Sequence, residues 1–260
     1  MDPNSGQCIF CDKHGGLTGE HLWPQWMHEI IPRGGIHQQT HTRFVKGAFR
    51  FTIQPEPFFR RQPYRNRQLR IACASCNGGW MSEIETGAQG ILRRLQVNPQ
   101  HPISRSDQLS ISRWATLRSI VNQYTIEDRV AIPLRDRLML ARGGNPSEEW
   151  RIWIGTNAAS EWELRMAQHI AAAMEIPSDI RRLNLACTLI GFGKTFLYTQ
   201  RSPKPIVDLN LSLYYRMCLA QIWPITSETL TPYDMAIDDP MANMISHALD
   251  KSMFSGYAPF

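Results

Sequence analysis

The sequence predicts an α+β protein in two parts. Three observations carry this. Two Cys-x-x-Cys pairs stand within the first 76 residues, a run of helical period follows the second pair, and the rest mixes helical periodicity with β-rich runs ended by Gly or Pro. We place the parts at 1–98 and 99–260, divided by the stretch from Val97 to Arg105 with its two prolines. With 260 residues, 43% of them apolar, the chain can bury a core, and wholesale disorder is excluded. No apolar run approaches the roughly 18 residues of a membrane span. Met1–Gln7 is polar, without the basic-then-apolar order of a leader. A soluble, cytoplasmic protein with no membrane partner is expected.

The cysteines come first in the chain. Cys8-Ile9-Phe10-Cys11 and Cys73-Ala74-Ser75-Cys76 are the pairs, and Cys187 and Cys218 sit singly in apolar stretches as buried small hydrophobes. In a reducing compartment four such thiols suit a metal better than disulfides. Each pair can set two thiolates on one tight turn, and two turns complete a tetrahedral zinc site with no open position. Structural zinc on Cys8, Cys11, Cys73 and Cys76 is the expectation. A redox pair is the rival, and no surrounding βαβ pattern supports it.

The charge is placed as unevenly as the cysteines. The net charge of +5 lies wholly in residues 1–100, where 12 basic residues face 7 acidic ones. Arg43, Lys46, Arg50, Arg60, Arg61, Arg65, Arg67 and Arg70 are opposed only by Glu56, and Phe44, Phe49, Phe51, Phe58, Phe59 and Tyr64 interleave with them. Guanidinium forks suit bidentate phosphate contacts and stack on bases. This arm is a candidate nucleic-acid contact, with a solvated charged insertion as the plainer reading.

Beside the Cys pairs stand Glu20-His21-Leu22-Trp23-Pro24 and Asn77-Gly78-Gly79-Trp80-Met81. The order Cys-x-x-Cys, acid-His-x-x-Pro, Cys-x-x-Cys-Asn resembles the HNH endonuclease superfamily in its zinc-stapled form, over residues 8–96. The ending Cys76-Asn77-Gly78-Gly79-Trp80-Met81 is similar to that of bacterial and phage members. The resemblance implies a ββα-metal (HNH, His-Me finger) fold in which Glu20 and Asn77 hold a catalytic Mg²⁺ or Mn²⁺ and His21 is the general base that activates water. An imidazole of ordinary pKa, about 6.5, suits that task near neutrality. It implies a DNA-hydrolysing enzyme, with the Arg43–Arg70 arm on the flanking backbone and RNA left open. The family's middle Asn falls here on Gln68, with Asn66 two positions away, and either residue could fill the role. A zinc-stapled nucleic-acid-binding module that no longer cuts is the alternative.

Further along, Ser82–Leu95 reads as a helix through Ile84, Ala88, Ile91, Leu92 and Leu95, with Ser82 and Glu85 as a capping box. Ser110–Tyr124 and Leu134–Ala141 read as helices, Arg151–Ile154 as a strand, and Trp162–Met174 as mostly helical. Leu183–Thr199 reads as a hairpin around Gly191–Gly193, which removes Gly193-Lys194-Thr195 as a phosphate loop. Leu209–Ile225 holds one or two strands and Met241–Met253 a helix. His37 and His41, four apart, read as loop because glycines precede them. The second part shows no catalytic constellation; orienting DNA, forming a homodimer and sensing a partner remain open to it.

Overall fold

The computed structural model describes residues 6–11, 13–30, 36–46, 51–54, 60–63, 67–125, 131–171, 185–202 and 217–246; within 36–63 and at 169–171 and 185 it gives the backbone alone. The elements in chain order are β1 (Leu17–His21), a 3-10 turn (Gln25–Glu29), β2 (Ile36–Lys46), β3 (Phe51–Gln54), β4 (Arg60–Pro63), β5 (Gln68–Cys73), α1 (Ala74–Cys76), a π turn (Asn77–Met81), α2 (Ser82–Val97), β6 (Ile103–Ser104), α3 (Arg105–Gln123), α4 (Leu134–Ala141), β7 (Trp150–Thr156), a second 3-10 turn (Ser160–Trp162), β8 (Leu164–Ala171), β9 (Leu185–Phe192), β10 (Thr195–Arg201), β11 (Ala220–Trp223) and β12 (Thr229–Leu230). Residues 239–246 are also helical. The α+β expectation holds. Among the described residues no helix is long and apolar enough to cross a membrane.

Apolar side chains on both faces of β9 and β10 require cover on both sides. Leu197 joins one apolar cluster with Trp114 and Ile190, while Phe196 and Tyr198 join a second with Trp162 and Ile237. The sheet so covered runs β11-β7-β10-β9-β8-β2-β3, and β4 also pairs with β2. Its pairings are antiparallel except that of β2 with β8, which is parallel. β2, β3 and β4 of the Arg-rich arm thus belong to the same sheet as β7 to β11 of residues 99–260. The first apolar cluster likewise runs from Cys8 through Trp114 to Ile222, so packing is continuous across the boundary placed at 98/99.

α3 lies between this sheet and α2, which is why it is buried nearly all round from Ile111 onward. Ser104 caps it, its Oγ accepting from the Asp107 amide at 3.2 Å, and that cap carries the start back from the expected Ser110. Ser119 anchors it to the sheet through Thr199 Oγ1 at 2.8 Å and through its own carbonyl, which accepts from Gln168 Nε2 at 3.0 Å.

Three readings need correction. Leu164–Ala171 is a strand and not a helix; its Met, Ala and Gln favour helix locally, but a place between β9 and β2 overrides propensity. His37 and His41 lie in β2 and not in a loop. Ser82 is not a cap, because Met81 before it and Ser82 itself are already helical and no side-chain cap bond is made there. Glu85 therefore serves another purpose, described below. The hairpin is found as β9 and β10, closed by Gly193-Lys194 with Gly193 at φ 47°. Residues 172–174, 183–184, 209–216 and 247–253 of the other readings lie outside the described residues.

Gly191 passes directly under the Trp162 carbonyl, where a Cβ would collide with backbone. Gly191→Ala is expected to destabilise the chain by roughly 1–3 kcal/mol through overpacking, read as a lower urea midpoint with an unchanged slope.

Candidate functional site

The first Cys pair sits on a turn closed by the Cys8 amide on the Lys13 carbonyl at 2.9 Å, and the Ile9 amide bonds the Ile71 carbonyl at 3.0 Å. This lays the turn against the end of β5, where Cys73 precedes α1 and Cys76 ends it. The sulfurs of Cys8, Cys11, Cys73 and Cys76 lie within 4.8 Å of one another, and none is in a disulfide. A tetrahedron with metal–sulfur bonds of about 2.3 Å has edges of about 3.8 Å; the Cys11 and Cys73 sulfurs stand 3.6 Å apart. The group could hold a metal ion such as zinc. Burial raises the Cys11 and Cys76 thiols. Burial also opposes the Cys73 thiolate, but Ser75 Oγ, the Cys76 backbone and the neighbouring thiols outweigh it and bring its pKa down to about 6.

β1 and β5 pair antiparallel, with a register shift between Thr18 and Gly19, and the helical course from Ala74 follows directly. Strand, strand and helix enclose a cavity of about 540 Å³ lined by Glu20, His21 and Asn77 among others. The site is thus beside the cysteine cluster and separate from it. Asn77 opens the π turn, one residue past the last cysteine. Its Nδ2 donates to Thr18 Oγ1 at 3.0 Å and to the Gly19 carbonyl at 3.5 Å, and its Oδ1 makes no hydrogen bond among the described residues. His21 is half-buried, and its Nε2 stands 2.8 Å from the Gln68 amide nitrogen. Gln68 reaches it by crossing Gly19, where a Cβ would strike its side chain. Gln68 is therefore the member of the Gln68/Asn66 alternative found against the site; Asn66 lies outside the described residues.

Glu20 is only 4% exposed. Its Oε1 accepts from Arg118 Nη2 at 2.7 Å, and Glu85 Oε1 is 3.1 Å from the same nitrogen. Its Oε2 makes no hydrogen bond among the described residues. Burial pushes the Glu85 carboxyl up, the Arg118 guanidinium draws it down, and Glu20 adds to the rise. Trp26 lines the cavity and takes the Arg93 guanidinium 5.9 Å from its ring centroid, while Trp80 packs edge-on against Phe10 and Trp23 is fully buried.

Of the basic arm, Arg43 and Lys46 fall in β2, Arg60 and Arg61 in β4, and Arg70 in β5, exposed. Arg50 and Arg65 lie outside the described residues. Arg67 is 7% exposed, and its carbonyl accepts from the Leu22 amide as the chain leaves β1. Arg118 and Glu85 were not among the residues read from the sequence as site residues. A signal existed for Arg118: Trp114, Arg118 and Val121 follow the i, i+4, i+7 spacing of a buried face, and an arginine there needs an anionic partner.

Fold and site together define an α+β protein with a four-cysteine cluster beside a cavity of carboxylate, imidazole and amide. No family model, curated protein or solved structure matches the chain.

Stripping metal with a strong chelator is expected to lower the melting temperature on the order of 10 °C, taking roughly 2–4 °C per kcal/mol at this size. Because Cys11 and Cys76 hold their protons, loading the site near neutral pH releases protons and metal affinity falls as pH falls. Zinc titrations in two buffers of different ionisation enthalpy check this.

Proposed function

We propose that the chain is a metal-dependent endonuclease of the HNH type, hydrolysing DNA phosphodiester bonds in the cavity between β1, β5 and the helix that follows. The observation that carries this reading is the convergence of Glu20, His21 and Asn77 on one cavity beside the four-cysteine cluster. The donor set fits a divalent ion. Glu20 Oε2 and Asn77 Oδ1 are oxygens without hydrogen-bond partners among the described residues, and hard oxygen ligands suit Mg²⁺ or Mn²⁺. An ion held there would supply charge stabilisation for the phosphate and the departing oxygen. Zinc on the four cysteines holds the start of the helix and does no chemistry.

His21 takes a proton from the attacking water. Its partner Gln68 orients the imidazole through the 2.8 Å contact between its amide and Nε2. Thr18 and the Gly19 carbonyl hold Asn77 by its Nδ2, so that its oxygen is the free end. Arg43, Lys46, Arg60, Arg61 and Arg70 contact the flanking backbone.

The non-cleaving alternative has one observation in its favour: Glu20 is buried and gives one oxygen to Arg118, so half of the carboxylate is already committed. Plasmid nicking with Mn²⁺ or Mg²⁺, beside an EDTA control, separates the two. The endonuclease nicks only with the ion, and His21→Ala loses cleavage by about 10²–10⁴-fold with zinc content and DNA binding kept. Binding without nicking establishes the alternative. In either case affinity for DNA falls steeply with salt, as a gel-shift series at increasing NaCl will show.

A further inference from the structure

Arg118 is the residue through which the large sheet reaches the cavity. It comes from α3, almost a hundred positions after Glu20, and its side chain is 0% exposed. Its Nη1 donates to the His21 carbonyl at 2.9 Å and lies 3.4 Å from the Leu22 carbonyl. Its Nη2 donates to Glu20 and faces Glu85. One planar group therefore grips two successive backbone carbonyls, those of His21 and Leu22, where β1 ends and turns toward Pro24, and the carboxylate of Glu20 just before them. The next residue, Ser119, is tied to the sheet through Thr199 and Gln168. A buried guanidinium is costly unless nearly every donor is met; here Nε alone lacks a partner.

We propose that Arg118 is a positioning residue: it fixes the carboxylate of Glu20 and the backbone course of His21 and Leu22, so that Glu20 Oε2 and the His21 ring are set against the cavity. The inference rests on the endonuclease reading for its chemistry, but its geometry concerns the Glu20 cation site. Glu85 is the counter-charge that lets the guanidinium face two carboxylates. Fork geometry is what the role requires. A lysine ammonium is a single point with three donors and cannot span two carbonyls and a carboxylate at once. Charge alone does not suffice: removing Arg118 and neutralising Glu85 together keep the local net charge at −1 yet leave Glu20 untethered.

The test uses the full-length, zinc-loaded chain with two variants, Arg118→Lys and the charge-balanced Arg118→Met/Glu85→Gln. Mn²⁺ affinity is measured by electron paramagnetic resonance and DNA nicking by steady-state kinetics, with melting temperature and zinc content as the folding check. Both variants are expected to bind Mn²⁺ several-fold more weakly and to lose kcat by about 10²-fold, the scale of a misplacement near 1 Å, with KM for DNA kept. Glu20→Gln, as a control, abolishes Mn²⁺ binding. Wild-type Mn²⁺ affinity in a folded variant overturns the inference, whatever nicking does. If the parent chain binds Mn²⁺ but does not nick, the endonuclease reading falls and the affinities alone decide the role of Arg118. A parent chain that neither binds Mn²⁺ nor nicks sinks both.

Discussion

The four-cysteine cluster is the constraint on which the cavity depends. It joins two turns that lie 62 residues apart in the chain, and everything that forms the site is placed relative to it. Cys73 ends β5, Cys76 precedes Asn77, and the Cys8 turn bonds the strand end at Ile71. Four sulfurs this close are unfavourable as bare thiolates, since like charges at this separation repel. A bound cation would remove that repulsion and clamp two strands and a helix at their common corner. Asn77 is placed twice over, by its backbone directly after Cys76 and by its Nδ2 on Thr18 and the Gly19 carbonyl.

A second constraint comes from the opposite side. The cysteines hold the helix end of the cavity, whereas Arg118 holds the strand end from α3. Between them the cavity collects two carboxylates and one guanidinium, a net negative interior, while the basic residues of the arm lie along β2, β4 and β5. A cation inside and phosphates outside is the distribution such charges favour. Arg137 repeats the pattern on a smaller scale, donating from α4 to the Ile9 carbonyl at 2.7 Å, so that the Cys8 turn too is held from the second part.

The local features were legible in the sequence because their signals are local. Paired cysteines at fixed spacing, Glu20 and His21 before Pro24, Asn77 after Cys76, and the period of α2 and α4 can each be read from a few neighbouring residues. What escaped depends on tertiary context. Leu164–Ala171 carries helix-favouring residues and is a strand because two neighbours pair with it. Glu85 fits a capping box and instead meets Arg118, since Met81 and Ser82 are already helical. Arg67 looks like one more exposed member of a basic run and is buried. Composition distinguishes none of these pairs of outcomes; only the partner across space does.

The parallel pairing of β2 with β8 has a consequence for how the chain reaches this state. Gln38 pairs with Arg165 and Phe44 with Ala171, each 127 positions later. The loop that joins them must close before the pairing contributes anything, and contacts so distant in sequence slow folding. During synthesis β2 is made long before β8, so the edge it will offer to β8 stays open while α2, α3 and β7 are still to come. A fragment ending near residue 98 would keep that edge open permanently, and an open strand edge from Gln38 to Phe44 is a template for association with other chains. The cysteine cluster can close early, from residues 8 to 76, but the sheet that bears on it can finish only when most of the chain has been made.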